Sequence, residues 1–227
     1  MNAVTLPPSL SVYSAWPPKL QIVILAAGFS FRLGRPKALA RVHGLSLLRR
    51  TLDLARRFAP AKIVIVVPRR AARLAVEARG PGVVLTVNSS RADGLSSSVR
   101  RGITQARHSA AVLLLPVDLA TLQQRDVARL ISRWRAAPRR VIARRVERHA
   151  GTPHAGTPHA GIPLILPRWL YARARGIRGD IGLRQLVSAL PADQRVLLTL
   201  PSAAQDVDTP HDLRAARRRL RATSTSL

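Results

Sequence analysis

Short apolar runs alternate with stretches of helical period along this chain, and that alternation constrains the fold more than any single residue does. Residues 21–25 (QIVIL), 62–67 (KIVIVV), 83–87 and 111–117 (AVLLLPV) read as buried strands. Between them, residues 45–58 place Leu45, Leu48, Leu52, Ala55 and Phe58 on one face and Arg49, Arg50, Arg56 and Arg57 off it, an amphipathic helix. Further helices are predicted over 70–79 and 94–108. Val127, Leu130, Ile131 and Trp134 mark the face of another. A short strand at 141–143, helices near 169–175 and 181–190, a strand at 195–200 and a helix over 210–222 complete the series. Strand–helix alternation at this spacing predicts a three-layer α/β/α, Rossmann-like fold on a mostly parallel sheet. In such sheets ligands sit beyond the carboxyl ends of the strands, so the informative residues should follow Leu25, Val87, Val117 and the late strand.

The 227 residues suit one domain, expected over 20–222. Residues 1–19 hold Pro7, Pro8, Pro17 and Pro18 and read as a loose lead-in without the pattern of a signal peptide; 223–227 read as a tail. Without cysteine there is no thiolate zinc site, disulfide or Cys nucleophile, which suits a cytoplasmic protein. No apolar run approaches a membrane span. Net charge is +27, and the basic residues other than Lys19, Lys37 and Lys62 are all arginine. They are spread along the chain rather than gathered on one element, which reads as compositional background and not as a nucleic-acid interface. At 149–163 a five-residue unit runs three times, HAGTP-HAGTP-HAGIP. Its spacing puts His149, His154 and His159 on no common helix or strand face, so it reads as a low-complexity loop rather than a metal site.

The densest chemistry lies directly after the first strand, in LAAGFSFRLGRPK (25–37). Ala26, Ala27 and Gly28 let a backbone approach a ligand closely, and their N–H groups can face phosphate oxygens. Arg32 and Lys37 add two cations. The glycines, Gly28 and Gly34 alone, match neither the dinucleotide fingerprint nor the Walker loop. In a chain with 38 basic and 11 acidic residues, an acid at the end of a buried strand also stands out, and Asp118 is one.

The 25–37 run resembles the L-A-A-G-x-S-x-R-x-G-x-x-K signature of nucleotidyltransferases of glycosyltransferase-A type fold, and more narrowly the molybdenum cofactor cytidylyltransferase group. Related guanylyltransferases carry L-A-G-G, so Ala27 leans toward cytosine. Four further segments extend the likeness: NSSRADGLSSSVRRG (88–102), LLLPVDLA (113–120), HAGIPLILP with RGDIGLRQLV (159–167 and 178–187), and QDVDTPHDL (205–213). The resemblance implies transfer of CMP from CTP to the terminal phosphate of a molybdopterin-type acceptor, with release of pyrophosphate. It assigns Arg32 and Lys37 to catalysis, and Leu25, Ala26, Ala27, Gly28, Asn88, Gly94 and Ser98 to the nucleotide. Asp118 and Asp208 become Mg²⁺ ligands, with Asp206 as the lesser alternative to Asp208. Gly161, Pro163, Asp180 and Gly182 are placed near the acceptor. Asp118 is followed by Leu119-Ala120, where the family often has proline at the third position. Asp212 reads as an acid at a helix N-terminus, with Thr209 as N-cap. A molybdoenzyme or its chaperone would be the partner. Other acceptors (a sugar phosphate, methylerythritol phosphate or phospholactate), GTP in place of CTP, and a non-catalytic nucleic-acid-binding or regulatory homologue are the alternative readings.

Overall fold

The computed structural model describes residues 20–28, 30–60, 62–147 and 158–224. In chain order the elements are β1 (Leu20–Leu25), β2 (Arg41–Val42), β3 (Leu45–Ser46), α1 (Leu47–Arg56), β4 (Ile63–Pro68), α2 (Ala72–Glu77), β5 (Val83–Asn88) and α3 (Leu95–Gln105). They continue with β6 (Ala111–Pro116), α4 (Gln124–Ala136), β7 (Val141–Val146), β8 (His159–Pro167), α5 (Tyr171–Arg175), α6 (Gly182–Ser188), β9 (Arg195–Leu198) and α7 (Pro210–Ser224). Seven strands form one sheet in the order β5-β4-β1-β6-β8-β7-β9, and β2 pairs with β3 separately. All pairings in the large sheet are parallel except those of β8, which runs antiparallel to both β6 and β7.

Alternation within each strand builds the layers. In β1, Ile22 and Ile24 point to one face, where they join Leu48, Leu52, Leu130 and Trp134 of α1 and α4. Val23 and Leu25 point to the other, against Val99 and Ile103 of α3 and Leu183 and Val187 of α6. Both faces of β1 are buried, as a central parallel strand requires. A third apolar group joins Leu33, Val42 and Leu47 to Val207, Leu213 and Ala216, fastening the chain's end over the loop that follows β1.

Three expectations differ from the structure. The helix expected from Leu45 starts at Leu47. His43 and Gly44 both have positive φ (48° and 80°), the signature of a tight hairpin turn, and this puts Leu45 into β3 with 43% exposure. Ser46 is the N-cap, its Oγ accepting from the Arg49 N–H at 3.1 Å. The third HAGIP copy is not loop: His159–Pro167 is strand β8, because Ala160, Leu164 and Leu166 alternate into the core while β6 and β7 pair with it on both sides. The first two copies, with His149 and His154, lie outside the described residues, as do the lead-in 1–19 and residues 225–227. Third, the strand expected over 195–200 ends at Leu198; it is the edge strand of the sheet, and the segment after it returns toward the centre, where Val207 meets Asp118.

Candidate active site

Parallel neighbours β4, β1 and β6 end together, so the turns that follow them share one rim. Leu25 lies opposite both Val66 and Pro116. The rim opens a cleft of about 1040 Å³, floored by Leu25, Ala26, Ala27 and Gly28. On one side stand Lys37 and Asp118; on others stand the turn after β4 and the start of α3 with Gly94 and Ser98. Such a volume is at the upper end for small-molecule sites.

Lys37 is the hub. Its Nζ donates to Asp118 Oδ2 at 3.0 Å and to Asp208 Oδ1 at 2.6 Å. Asp208 Oδ2 accepts in addition from the Arg32 guanidinium at 2.8 Å. Two details aim Lys37. The Ser30 hydroxyl accepts from the Lys37 backbone N–H at 2.7 Å, and Lys37 opens a single 3-10 turn over Lys37–Leu39. Asp208 is carried there from the sheet edge by Val207, which is 1% exposed and donates its N–H to the Asp118 carbonyl at 2.9 Å. Asp212 secures the next turn: it accepts from Thr209 N–H, Thr209 Oγ and Asp208 N–H at 2.8, 2.8 and 3.1 Å. The Thr209 hydroxyl caps the Asp212 N–H at 3.2 Å, a reciprocal box. These hydrogen bonds, above all from Thr209, hold the Asp212 carboxyl at a pKa of about 2.

Burial and charge oppose each other in the hub. At Asp118 burial dominates and pushes the carboxyl pKa up, although Lys37 pulls it down. At Lys37 burial works against the charge, but Asp118 and Asp208 together overcome it and raise the pKa. The ammonium is therefore fully charged at neutral pH. The hub thus sets two cations against two acids at the edge of the cleft.

Residues 22–196 match the MobA-like NTP transferase domain. The chain belongs to that family. A probable molybdenum cofactor guanylyltransferase of Rhodopirellula baltica is 34% identical over 131 residues, which is 56% of this chain and 62% of that protein. The chain thus matches under two thirds of that relative's length. Among solved structures, the Mycobacterium tuberculosis H37Rv protein Rv0371c superposes with a TM-score of 0.70 at 23% identity, over 90% of this chain and 99% of that one. The 2-C-methyl-D-erythritol 4-phosphate cytidylyltransferase of Thermus thermophilus has a TM-score of 0.63 at 21% identity, over 89% and 99%. These two share the fold.

On this MobA-like scaffold the residues singled out by sequence fall into groups. Arg32, Lys37, Asp118 and Asp208 come together, across 176 residues of chain. Leu25 to Gly28, Gly94 and Ser98 wall the cleft, whereas Asn88 stands behind it. Asn88 is 4% exposed, donates to Ser97 Oγ at 2.7 Å and Ser98 Oγ at 3.0 Å, and accepts from Ser90 N–H at 2.9 Å. It ties Ser98 to Ser97 and Ser90. Asp180 walls the cleft, but its Oδ1 accepts from Leu95 N–H at 2.8 Å, supplying the cap that Gly94 lacks. Gly182 packs beneath, where an added Cβ would lie 2.8 Å from Ser96 Oγ. Gly161 and Pro163 lie within β8 and not among the wall residues. Two features escaped the sequence reading. Ser30 sat in the motif without a role. Arg144, 8% exposed, pairs with Asp206 at 2.9 Å, and only its place directly after the strand expected at 141–143 could have signalled it. Among the described residues no cluster of three or more carboxylates or imidazoles forms a ready-made metal site.

Proposed function

We propose that this MobA-like protein is a Mg²⁺-dependent nucleotidyltransferase that transfers CMP from CTP to the terminal phosphate of a molybdopterin-type acceptor. The observation that carries the reading is Lys37 Nζ held between Asp118 and Asp208 at the edge of a cleft floored by Ala26, Ala27 and Gly28. The donor set fits a hard divalent cation: two carboxylates from separate segments converge at the Lys37 ammonium, and Mg²⁺ characteristically takes one or two carboxylates plus substrate phosphates. Rv0371c, of the same fold, has been crystallised in complex with manganese. Bound there by Asp118 and Asp208, Mg²⁺ would neutralise triphosphate charge. An acceptor phosphate oxygen forms the new bond to the α-phosphorus of the nucleotide, and the bond from that phosphorus to the bridging oxygen breaks. Pyrophosphate carries away the electron pair. The nucleophile is already anionic, so no general base is needed, and the protein's work is placement and charge. Arg32 turns from Asp208 to the triphosphate; Lys37, still protonated, meets the charge that grows at the α-phosphate.

Ala27 supports CTP. At 1% exposure its methyl is committed to the core beside α3, so it selects a base by fixing the backbone's position rather than by touching the ligand. GTP is the second reading, favoured by the guanylyltransferase relative. A thermal-shift screen of nucleoside triphosphates with Mg²⁺, followed by pyrophosphate release with molybdopterin-type acceptors, separates them. CTP is expected to exceed GTP in kcat/KM by about 10–200-fold, the range one small apolar group can supply. Equal values would defeat the CTP assignment, and inverted values would favour guanylyl transfer. A cytoplasmic site of action and a molybdoenzyme or its chaperone as recipient accompany this reading. Among the described residues no helix is long and apolar enough to cross a membrane.

A further inference from the structure

Among the described residues, four arginines stand on the cleft wall without an acid to neutralise them. Arg69 and Arg70 form the turn after β4, Arg73 lies at the start of α2, and Arg35 comes from the loop after β1. All four are exposed, and within the described residues none has an ion pair or a side-chain hydrogen bond. The other charged groups of the wall are engaged: Lys37 with Asp118 at 3.0 Å, and Asp180 with the Leu95 N–H at 2.8 Å. Arginine recurs along the whole chain, and it is placement that sets these apart. Arg70 has left-handed backbone, φ 56°, so the chain turns sharply between β4 and α2, and three arginines within five positions share one wall. Because they are exposed, water satisfies their N–H groups and folding requires no partner for them. Gathered in a concave wall, their charges add to one positive field. Each guanidinium presents a planar fork of donors that matches phosphate oxygens. A single carboxylate would occupy one fork. Several forks side by side match an anion with several charged groups in a row, an oligophosphate. A nucleic-acid duplex does not fit, since these arginines line a cleft of about 1040 Å³ and not an open face.

We propose that Arg69, Arg70 and Arg73, together with Arg35, form an oligophosphate subsite separate from the hub of Lys37, Asp118 and Asp208. The subsite rests on the arginines alone; its occupant during the reaction, the phosphate chain of the nucleotide, rests on the functional reading above. The arginines take the outer phosphates of the triphosphate while Lys37 meets the α-phosphate. Nucleotide capture at this wall needs no divalent cation.

Calorimetric titration of the full chain in EDTA with tripolyphosphate, CTP and cytidine tests this. Wild type is expected to bind tripolyphosphate and CTP without metal, and cytidine far more weakly. The combined variant Arg69→Gln, Arg70→Gln, Arg73→Gln should bind tripolyphosphate about 10-fold more weakly, the effect of losing roughly one hydrogen bond between charged groups. Its affinity for cytidine and its melting temperature should not change. A control, Arg125→Gln, Arg133→Gln, Arg214→Gln, removes the same charge from exposed positions outside the cleft, where salt screens it, and should stay within about 2-fold of wild type. A loss for CTP that matches the loss for tripolyphosphate supports the nucleotide as the source of the phosphates. CTP unchanged beside weakened tripolyphosphate supports the subsite and assigns it to a phosphorylated group of the acceptor. Wild-type affinity for tripolyphosphate in the cleft variant, an equal loss in the control, or an equal loss for cytidine overturns the proposal. Failure of the functional reading looks different: wild type then binds tripolyphosphate through the same arginines but releases no pyrophosphate from any nucleoside triphosphate.

Discussion

Lys37 draws the charges of the cleft together at one side chain. Its neighbours explain why an ammonium in a partly closed cleft keeps its proton: two carboxylates within 3.0 Å overcome the cost of burial. A preorganised charge of this kind is worth most where water is thin. Lys37→Ala is therefore expected to lower kcat by about 10²–10³-fold, measured as pyrophosphate release, while CTP still shifts the melting temperature. Wild-type turnover in that variant would remove Lys37 from the mechanism. The sequence named Lys37 because a cation followed a small-residue turn after a strand. It could not name Arg144 and Asp206 as a pair, because 62 residues separate them and the register irregularity beside Arg144 leaves no mark in composition.

At the scale of elements, the start of α3 shows how one segment can stabilise another's binding surface. Gly94 at φ 78° has no side chain with which to cap the helix, and an added Cβ would lie 2.5 Å from Asp180 Oδ1. Asp180 fills that role from 85 residues away, and the Gly179 carbonyl accepts from the Ser96 N–H at 3.1 Å. The segment that resemblance matches to the acceptor region thus also holds the start of α3, which the same resemblance matches to the nucleotide. Asp180→Ala should cost about 1 kcal/mol, the usual value of a lost cap, and raise the KM for nucleotide with little change in kcat. Asp180→Asn, which keeps an oxygen acceptor, should recover most of both. An effect on the acceptor KM alone would return Asp180 to the role the resemblance implied. Helix and strand positions were legible because period and burial coincide: Ile22, Ile24, Val23 and Leu25 sort cleanly onto two faces. Boundaries were less so. Leu45 satisfies the helical period but is taken by a hairpin whose turn residues, His43 and Gly44, carry the deciding information.

For the whole molecule, strand order is what turns scattered motifs into a site. The βαβ pattern predicts a parallel sheet, and β1 beside β6 makes Lys37 and Asp118 neighbours. Nothing in that pattern foretells that β8 would enter antiparallel or that the chain would return from edge strand β9 to deliver Asp208. The closing motif, known by resemblance, was the sole clue to the last of these. The repeat bears on the same architecture. Val146 pairs with His159, so removing His149 to Pro158 leaves two residues, Glu147 and Arg148, to join antiparallel strands, the commonest hairpin length. That deletion is expected to leave the melting temperature and CTP binding nearly unchanged; loss of a stoichiometric metal or collapse of the melting transition would show the repeat to be functional. The central claim is that Asp118 and Asp208, brought together from opposite parts of the chain, serve one metal-dependent transfer. Burial raises the Asp118 pKa, so its favourable contribution to stability, present below its ordinary value of 3.8, is lost as pH rises through the folded value. Asp118→Asn at neutral pH should accordingly fold. The decisive measurement is a Mg²⁺ titration of pyrophosphate release from CTP for Asp118→Asn, Asp208→Asn and Asp206→Asn. The account predicts that the first two lose Mg²⁺-dependent turnover while the third keeps it; normal turnover in both Asp118→Asn and Asp208→Asn would contradict it.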